Sequence, residues 1–149
     1  MSGSVQSPTQ EKRVMVAVDG SERSLRTAKR AIEYAKLFDG SVVVVHVVQL
    51  PEYLTADIQK KMSQELTSRA AEAFESAGRL ASEAGVRVES KSLETTGSVV
   101  AAICDAAAAE KIDLLVVGTR TTREVTKLML GSVAEGVIAN AKCDVLVVR

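Results

Sequence analysis

The stretch SVVVVHVV, Ser41–Val48, is valine at six of its eight positions. A strand with one wet face alternates apolar and polar residues, whereas a nearly unbroken β-branched run marks a strand buried on both faces, as in a parallel sheet covered by helices. Three further runs have this character: RVMVAV (Arg13–Val18), DLLVVG (Asp113–Gly118) and DVLVV (Asp144–Val148). A fifth, VRVESKSL (Val86–Leu93), alternates more and is expected nearer a sheet edge. Helical periodicity fills the gaps between runs. Leu25, Ala28, Ile32 and Ala35 form one stripe, Ile58, Met62, Leu66, Ala70, Phe74, Ala77 and Leu80 a longer one, and Val99, Ile103 and Ala106 a third. Gly85 is placed to end the long helix, and Gly40 to serve the turn into the second strand. The β-α-β-α-β-α-β-α-β order predicts an α/β fold, an open five-stranded parallel sheet with helices on both faces and right-handed crossovers.

A chain of 149 residues is the size of one domain and removes roughly 70% of its unfolded surface from water. The first ten residues are rich in Ser, Gly, Gln and Pro, so residues 1–12 read as a disordered tail and 13–149 as the domain. Nineteen basic residues balance nineteen acidic ones, and nothing global draws the chain to nucleic acid or an anionic membrane. No apolar run approaches the roughly 18 residues of a membrane span, and the N-terminus lacks the apolar stretch of a secretion signal, which makes a cytoplasmic address the expectation. Cys104 and Cys143 have neither metal-ligand nor redox-motif spacing and read as reduced packing residues.

In such a sheet, ligands collect outside the carboxyl ends of the strands, where the strand order reverses. The first βα loop, VDGSERS (Val18–Ser24), puts Asp19 at a strand end and Ser21 in position to cap a helix. The fourth is long: thirteen residues separate Gly118 from Ser132, and connections of that length usually have a job. It ends in GSVAE, with Ser132 expected at the helix N-cap, Glu135 completing a capping box, and Gly131 permitting close backbone approach. Unpaired amides at that point can hold an anion, although a cap and a turn alone would explain the same residues. Dinucleotide and P-loop glycine signatures are absent from the sequence. His46, the only histidine, sits inside an apolar strand and reads as a packed imidazole rather than a base; no acid–base pair can be named, and an enzyme is not expected. Arg23, Arg26, Lys29 and Arg30 read as a solvated helix face, and Tyr53 as a partly exposed packing aromatic.

VMVAVDGSERS near the start, VVVVHVV in the second strand and DLLVVGTRTTREVTKLMLGSVAEGVIANAKCDVLVV at the end resemble the universal stress protein family over nearly the whole chain. The resemblance implies a Rossmann-like, adenine nucleotide alpha hydrolase-like fold and a stress-response or signalling role. It also implies an adenine nucleotide, ATP or AMP, as ligand. In the nucleotide-binding branch, G-x2-G-x9-G-[ST] holds the phosphates. Here Gly118, Gly131 and Ser132 match it, while Thr121 stands where the second glycine belongs. By the same resemblance Asp19 lies beside ribose and phosphate or a metal, Mg2+ accompanying ATP. Ala17 and Val18 line the nucleoside, the main chain of Val47 meets adenine, and Thr119, Arg120 and Val133 complete the site. Threonine suits neither positive φ nor close phosphate approach. Either Arg120, Arg123 or Lys127 supplies charge instead, or the outer phosphate pocket is impaired while a monophosphate site survives. A second hypothesis follows from Thr121: a dimeric interaction module of the same fold that has lost the nucleotide and acts through a protein partner. CDVLVVR ends the chain in an apolar strand with no helix after it, an exposed edge unless paired, and the resemblance implies a homodimer through that strand.

Overall fold

The computed structural model describes residues 11–119 and 130–149. Their elements are β1 (Arg13–Ala17), α1 (Glu22–Leu37), β2 (Ser41–Gln49), α2 (Ala56–Ala84), β3 (Val88–Thr95), α3 (Val99–Ala109), β4 (Leu114–Gly118), α4 (Ser132–Asn140) and β5 (Asp144–Val148). The strands form one parallel sheet in the order β3-β2-β1-β4-β5. This is the α/β architecture expected from the apolar runs.

The valine runs are unbroken because both faces of the central strands are covered. Successive side chains alternate between faces. Val14, Val16, Val42, Val44 and Val116 pack with Ala28, Ala31 and Ile32 of α1 and with Ala77 and Ala81 of α2. Met15, Val43, Val45, Leu115 and Val117 pack on the other side with Ile103 and Ala107 of α3 and Ala134 and Val137 of α4. The alternating third strand is indeed an edge, paired only to β2.

The strand bounds shift by a residue or two from the apolar runs, and one of these shifts and one burial pattern have a clear local reason. Strand β3 starts at Val88 rather than Val86, because Gly85 (φ 72°) caps α2 with two backbone bonds, Gly85 N–H to Ser82 O at 3.1 Å and Val86 N–H to Ala81 O at 2.8 Å. That Schellman arrangement consumes Val86 before the strand begins. Of the long stripe on α2 only Ala70 and Ala77 are fully buried, Ala81 outside the stripe is buried as well, and Ile58 is 46% exposed. A 29-residue helix is about 44 Å long and outruns its nine-residue neighbour β2, which spans about 30 Å.

Gly40 serves its turn through close approach. A Cβ there would lie 2.3 Å from the Lys12 carbonyl oxygen. That carbonyl accepts from Ser41 N–H at 3.0 Å, and Glu11 pairs with Arg87, so two residues assigned to the tail are held against the sheet. Residues 1–10 lie outside the described residues. Among the described residues, no helix is long and apolar enough to cross a membrane.

The order of strands places β1 beside β4 at the centre. The chain leaves β1 toward β2 and leaves β4 toward β5, so the two loops diverge and open a crevice at the carboxyl ends.

Candidate functional site

That crevice is a cleft of about 610 Å3. It is lined from the first βα loop by Ala17, Val18 and Asp19, from β2 by Val47, and from the fourth connection by Gly118, Thr119, Gly131, Ser132 and Val133. Nine of the positions assigned from sequence therefore meet at one place. Arg120 and Thr121, with Arg123 and Lys127, lie outside the described residues.

The first loop is built around one carboxylate. Gly20 (φ 88°) turns the chain after Asp19, and Ser21 caps α1 as expected, its Oγ accepting from Ser24 N–H at 3.1 Å. The Ser21 N–H and hydroxyl both donate to Asp19 Oδ1, at 2.9 and 2.6 Å. Burial by itself raises the Asp19 carboxyl, but the bonds from Ser21, aided by Ser24, outweigh it and hold the group below its ordinary value of 3.8. Asp19 is thus an anion at neutral pH with Oδ1 engaged locally.

The fourth connection returns to the sheet differently from the capping box expected of GSVAE. Gly131 is the N-cap, at φ 97° and ψ 154°, and Ser132 is already the first helical residue. The Gly131 carbonyl accepts from Glu135 N–H at 3.0 Å, and no side chain caps this end. The reason is conformational: a glycine can hold the positive φ at which the chain enters the helix, and this moves the cap one residue earlier than a Ser–Glu pattern suggests. Ser132, Val133 and Ala134, whose amides fall in the unpaired first turn, all line the cleft. Gly118 serves another purpose. A Cβ on it would come within 2.7 Å of Thr27 Oγ1, a buried hydroxyl bonded to the Arg23 carbonyl at 3.1 Å, so this glycine lets β4 pack against α1.

The cleft also holds residues that the sequence reading assigned elsewhere. His46 packs edge-on against Phe74, with ring centroids 6.4 Å apart, yet it lines the cleft and its Nδ1 is buried without a partner among the described residues. Burial pushes its pKa below the ordinary 6.5, and the Asp19 charge opposes that shift. Arg23 is half-buried and lines the cleft, unlike exposed Arg26, Lys29 and Arg30. Gln49, Ser98, Val99, Val100 and Ile103 form a further wall that sequence reasoning missed. Their signal was position: Gln49 ends β2, and Ser98 opens α3 after β3, both at carboxyl ends of strands. Tyr53 neither packs nor covers the cleft. The Pro51–Leu54 turn leaves it 87% exposed while Leu50 takes the buried position.

The model of the universal stress protein family matches residues 11–149. The chain belongs to the universal stress protein family. A universal stress protein of Methanocaldococcus jannaschii is 36% identical over 141 residues, which cover 93% of this chain and 82% of that one. Among solved structures, a universal stress protein in complex with cAMP has a TM-score of 0.73 at 28% identity, covering 93% of this chain and 97% of its own. The universal stress protein of Archaeoglobus fulgidus in complex with dAMP has a TM-score of 0.72 at 25% identity, covering 93% and 98%. Within this universal stress protein, Cys104 and Cys143 are free thiols packed partly against the α3–α4 side of the core, where burial raises both above their ordinary value.

Proposed function

We propose that this universal stress protein binds an adenine nucleotide in the switch-point cleft and acts in stress response or signalling, not as an enzyme. The observation that carries the proposal is the entry to α4. Gly131 at positive φ delivers a helix N-terminus with no side-chain cap into a cleft of nucleotide size, the arrangement that suits a phosphate. The relatives solved with cAMP and dAMP support adenine as the base. Asp19, ionised across the cleft, suits a ribose hydroxyl or a cation that a phosphate chain brings with it. Among the described residues no three His, Cys, Asp or Glu side chains gather to hold a metal, so Mg2+ would take most of its ligands from ATP phosphates and water. AMP is the favoured ligand, because Thr121 stands at the second glycine of the phosphate motif. That same residue favours the second reading, an interaction module without nucleotide.

The proposal includes a homodimer. Strand β5 is the sheet edge opposite β3, its last four residues are only half-buried, and an apolar edge of this kind is an aggregation hazard unless paired. Calorimetric titration of AMP and ATP, with and without magnesium, tests the ligand. Saturable AMP binding is expected; absence of binding by either nucleotide would leave the interaction module as the better account.

A further inference from the structure

The cleft has two chemically different ends. At α4 it offers backbone donors to an anion, while the wall made by β2 and α3 sets apolar Val47, Val99, Val100 and Ile103 beside polar His46, Gln49 and Ser98. A flat heteroaromatic ring fits the second end, and the one carboxamide there is Gln49.

Gln49 is the last residue of β2, and its Nε2 donates to the Gly97 carbonyl at 2.8 Å. A carbonyl can only accept, so this bond fixes which end of the carboxamide is nitrogen and which is oxygen. The Gly97 segment is itself anchored, since Gly97 N–H donates to Thr95 Oγ1 at 3.0 Å and Leu50 N–H donates to the Thr95 carbonyl at 2.8 Å. The carboxamide is therefore tethered through one N–H at the mouth of the cleft. Its Oε1 and second N–H take no bond from any described residue. An acceptor beside a donor is the edge that a Gln side chain uses to read the amino group and adjacent ring nitrogen of adenine.

We infer that Gln49 sets the base selectivity of the cleft: Oε1 accepts from the exocyclic amino group of a 6-aminopurine and rejects a 6-oxopurine, whose oxygen would face it acceptor to acceptor. The inference rests on the nucleotide reading of the cleft and adds to it the residue that chooses the base. It makes Gln49 a specificity residue, where the structure alone would make it a pin for the Gly97 loop.

Affinities of AMP and IMP for the wild-type chain, Gln49→Leu and Gln49→Glu separate these roles, with circular dichroism confirming that each variant folds. The wild-type chain should prefer AMP by about tenfold, the scale of one hydrogen bond gained against one repulsion. Gln49→Leu should bring the two ligands within about twofold, and Gln49→Glu, which keeps acceptor oxygens but loses the tether to Gly97 that aims them, should keep a weakened preference for AMP. The inference is overturned by equal wild-type affinities, by a preference that survives Gln49→Leu, or by parallel loss of both ligands in both variants. Failure of wild-type protein to bind either nucleotide is a distinct result that removes the nucleotide reading along with it.

Discussion

The two ends of the same sheet are finished in opposite ways. At the amino ends of the strands, charge is matched to charge. Arg13 donates to the carbonyl and the carboxylate of Glu110, at 2.9 and 2.8 Å, Lys91 pairs with the same carboxylate, Arg13 N–H donates to Asp113 at 2.8 Å, and Arg87 pairs with Glu11. At the carboxyl ends, Gly131 opens a helix with no side-chain cap, His46 keeps a buried nitrogen unpartnered among the described residues, and Gln49 uses only part of its hydrogen-bonding capacity. The valine core between them is indifferent to this difference. What distinguishes the ends is that one satisfies its polar groups internally and the other reserves them. Buried polar groups are ordinarily paired, and His46 Nδ1, buried and unpartnered among the described residues, departs from that rule at the end where the exposed donors of α4 and Gln49 also gather.

The contrast is broken most severely at Gly131. Gly131→Val places a β-branched residue at φ 97°, where strain of about 1–2 kcal/mol adds to obstruction of the phosphate approach. Calorimetric AMP affinity should fall at least about 100-fold, the product of that strain and the lost contacts, while circular dichroism stays native. Unchanged affinity would remove the phosphate site from α4.

At the opposite end the expected effect is on stability alone. Glu110→Ala leaves Arg13 and Lys91, each about one-third exposed, without their shared partner. A half-buried network of this kind contributes about 1–2 kcal/mol, between exposed and buried pairs. Denaturant unfolding should register that loss, with AMP affinity unchanged within about twofold on the same scale of error. A matching loss of AMP affinity would show that the two ends are coupled.

The smallest effect concerns pH. Burial holds the folded-state pKa of His46 below 6.5, so the unfolded chain takes up a proton first as pH falls. Stability from this residue is complete above 6.5 and declines below it until the folded-state pKa is passed. His46→Gln should flatten the stability–pH curve in that window, and an unchanged slope would assign it to other groups. The Asp19 carboxyl acts lower on the scale: held below 3.8, it contributes stability above that value and loses it as pH falls through its folded-state pKa.

The buried strands and the ligand end of the sheet are legible in the sequence, the ion pairs at the other end are not, and the exceptions share a cause. Continuous valine announces burial on both faces because that property belongs to each residue in turn, and the alternation of the third strand announces an edge for the same reason. Asp19 is legible from its strand-end position in a parallel sheet, Gly131 from the helix entry and the family motif, and Val47 from the family resemblance alone. Gln49, Ser98 and Arg23 were missed because their importance comes from what folding sets opposite them: nothing in LPEY or TTGS says that Gly97 will accept from Gln49. The cap at α4 was misplaced by one residue because a Ser–Glu spacing describes side chains, whereas the positive φ of Gly131 is decided by how the chain returns to the sheet. The role of Gly118 was likewise hidden, since the Thr27 hydroxyl it accommodates belongs to another element, ninety-one residues earlier in the chain.

The central claim is that one end of the sheet is reserved for a nucleotide and the other is closed. Backbone amide resonances followed during titration with AMP test it most directly. The account predicts saturable shifts at Asp19, Val47, Gln49 and Gly131 through Ala134, with Arg13, Glu110 and Asp113 unmoved. Shifts concentrated at the amino-end ion pairs, or no shifts at all at millimolar AMP, would contradict it.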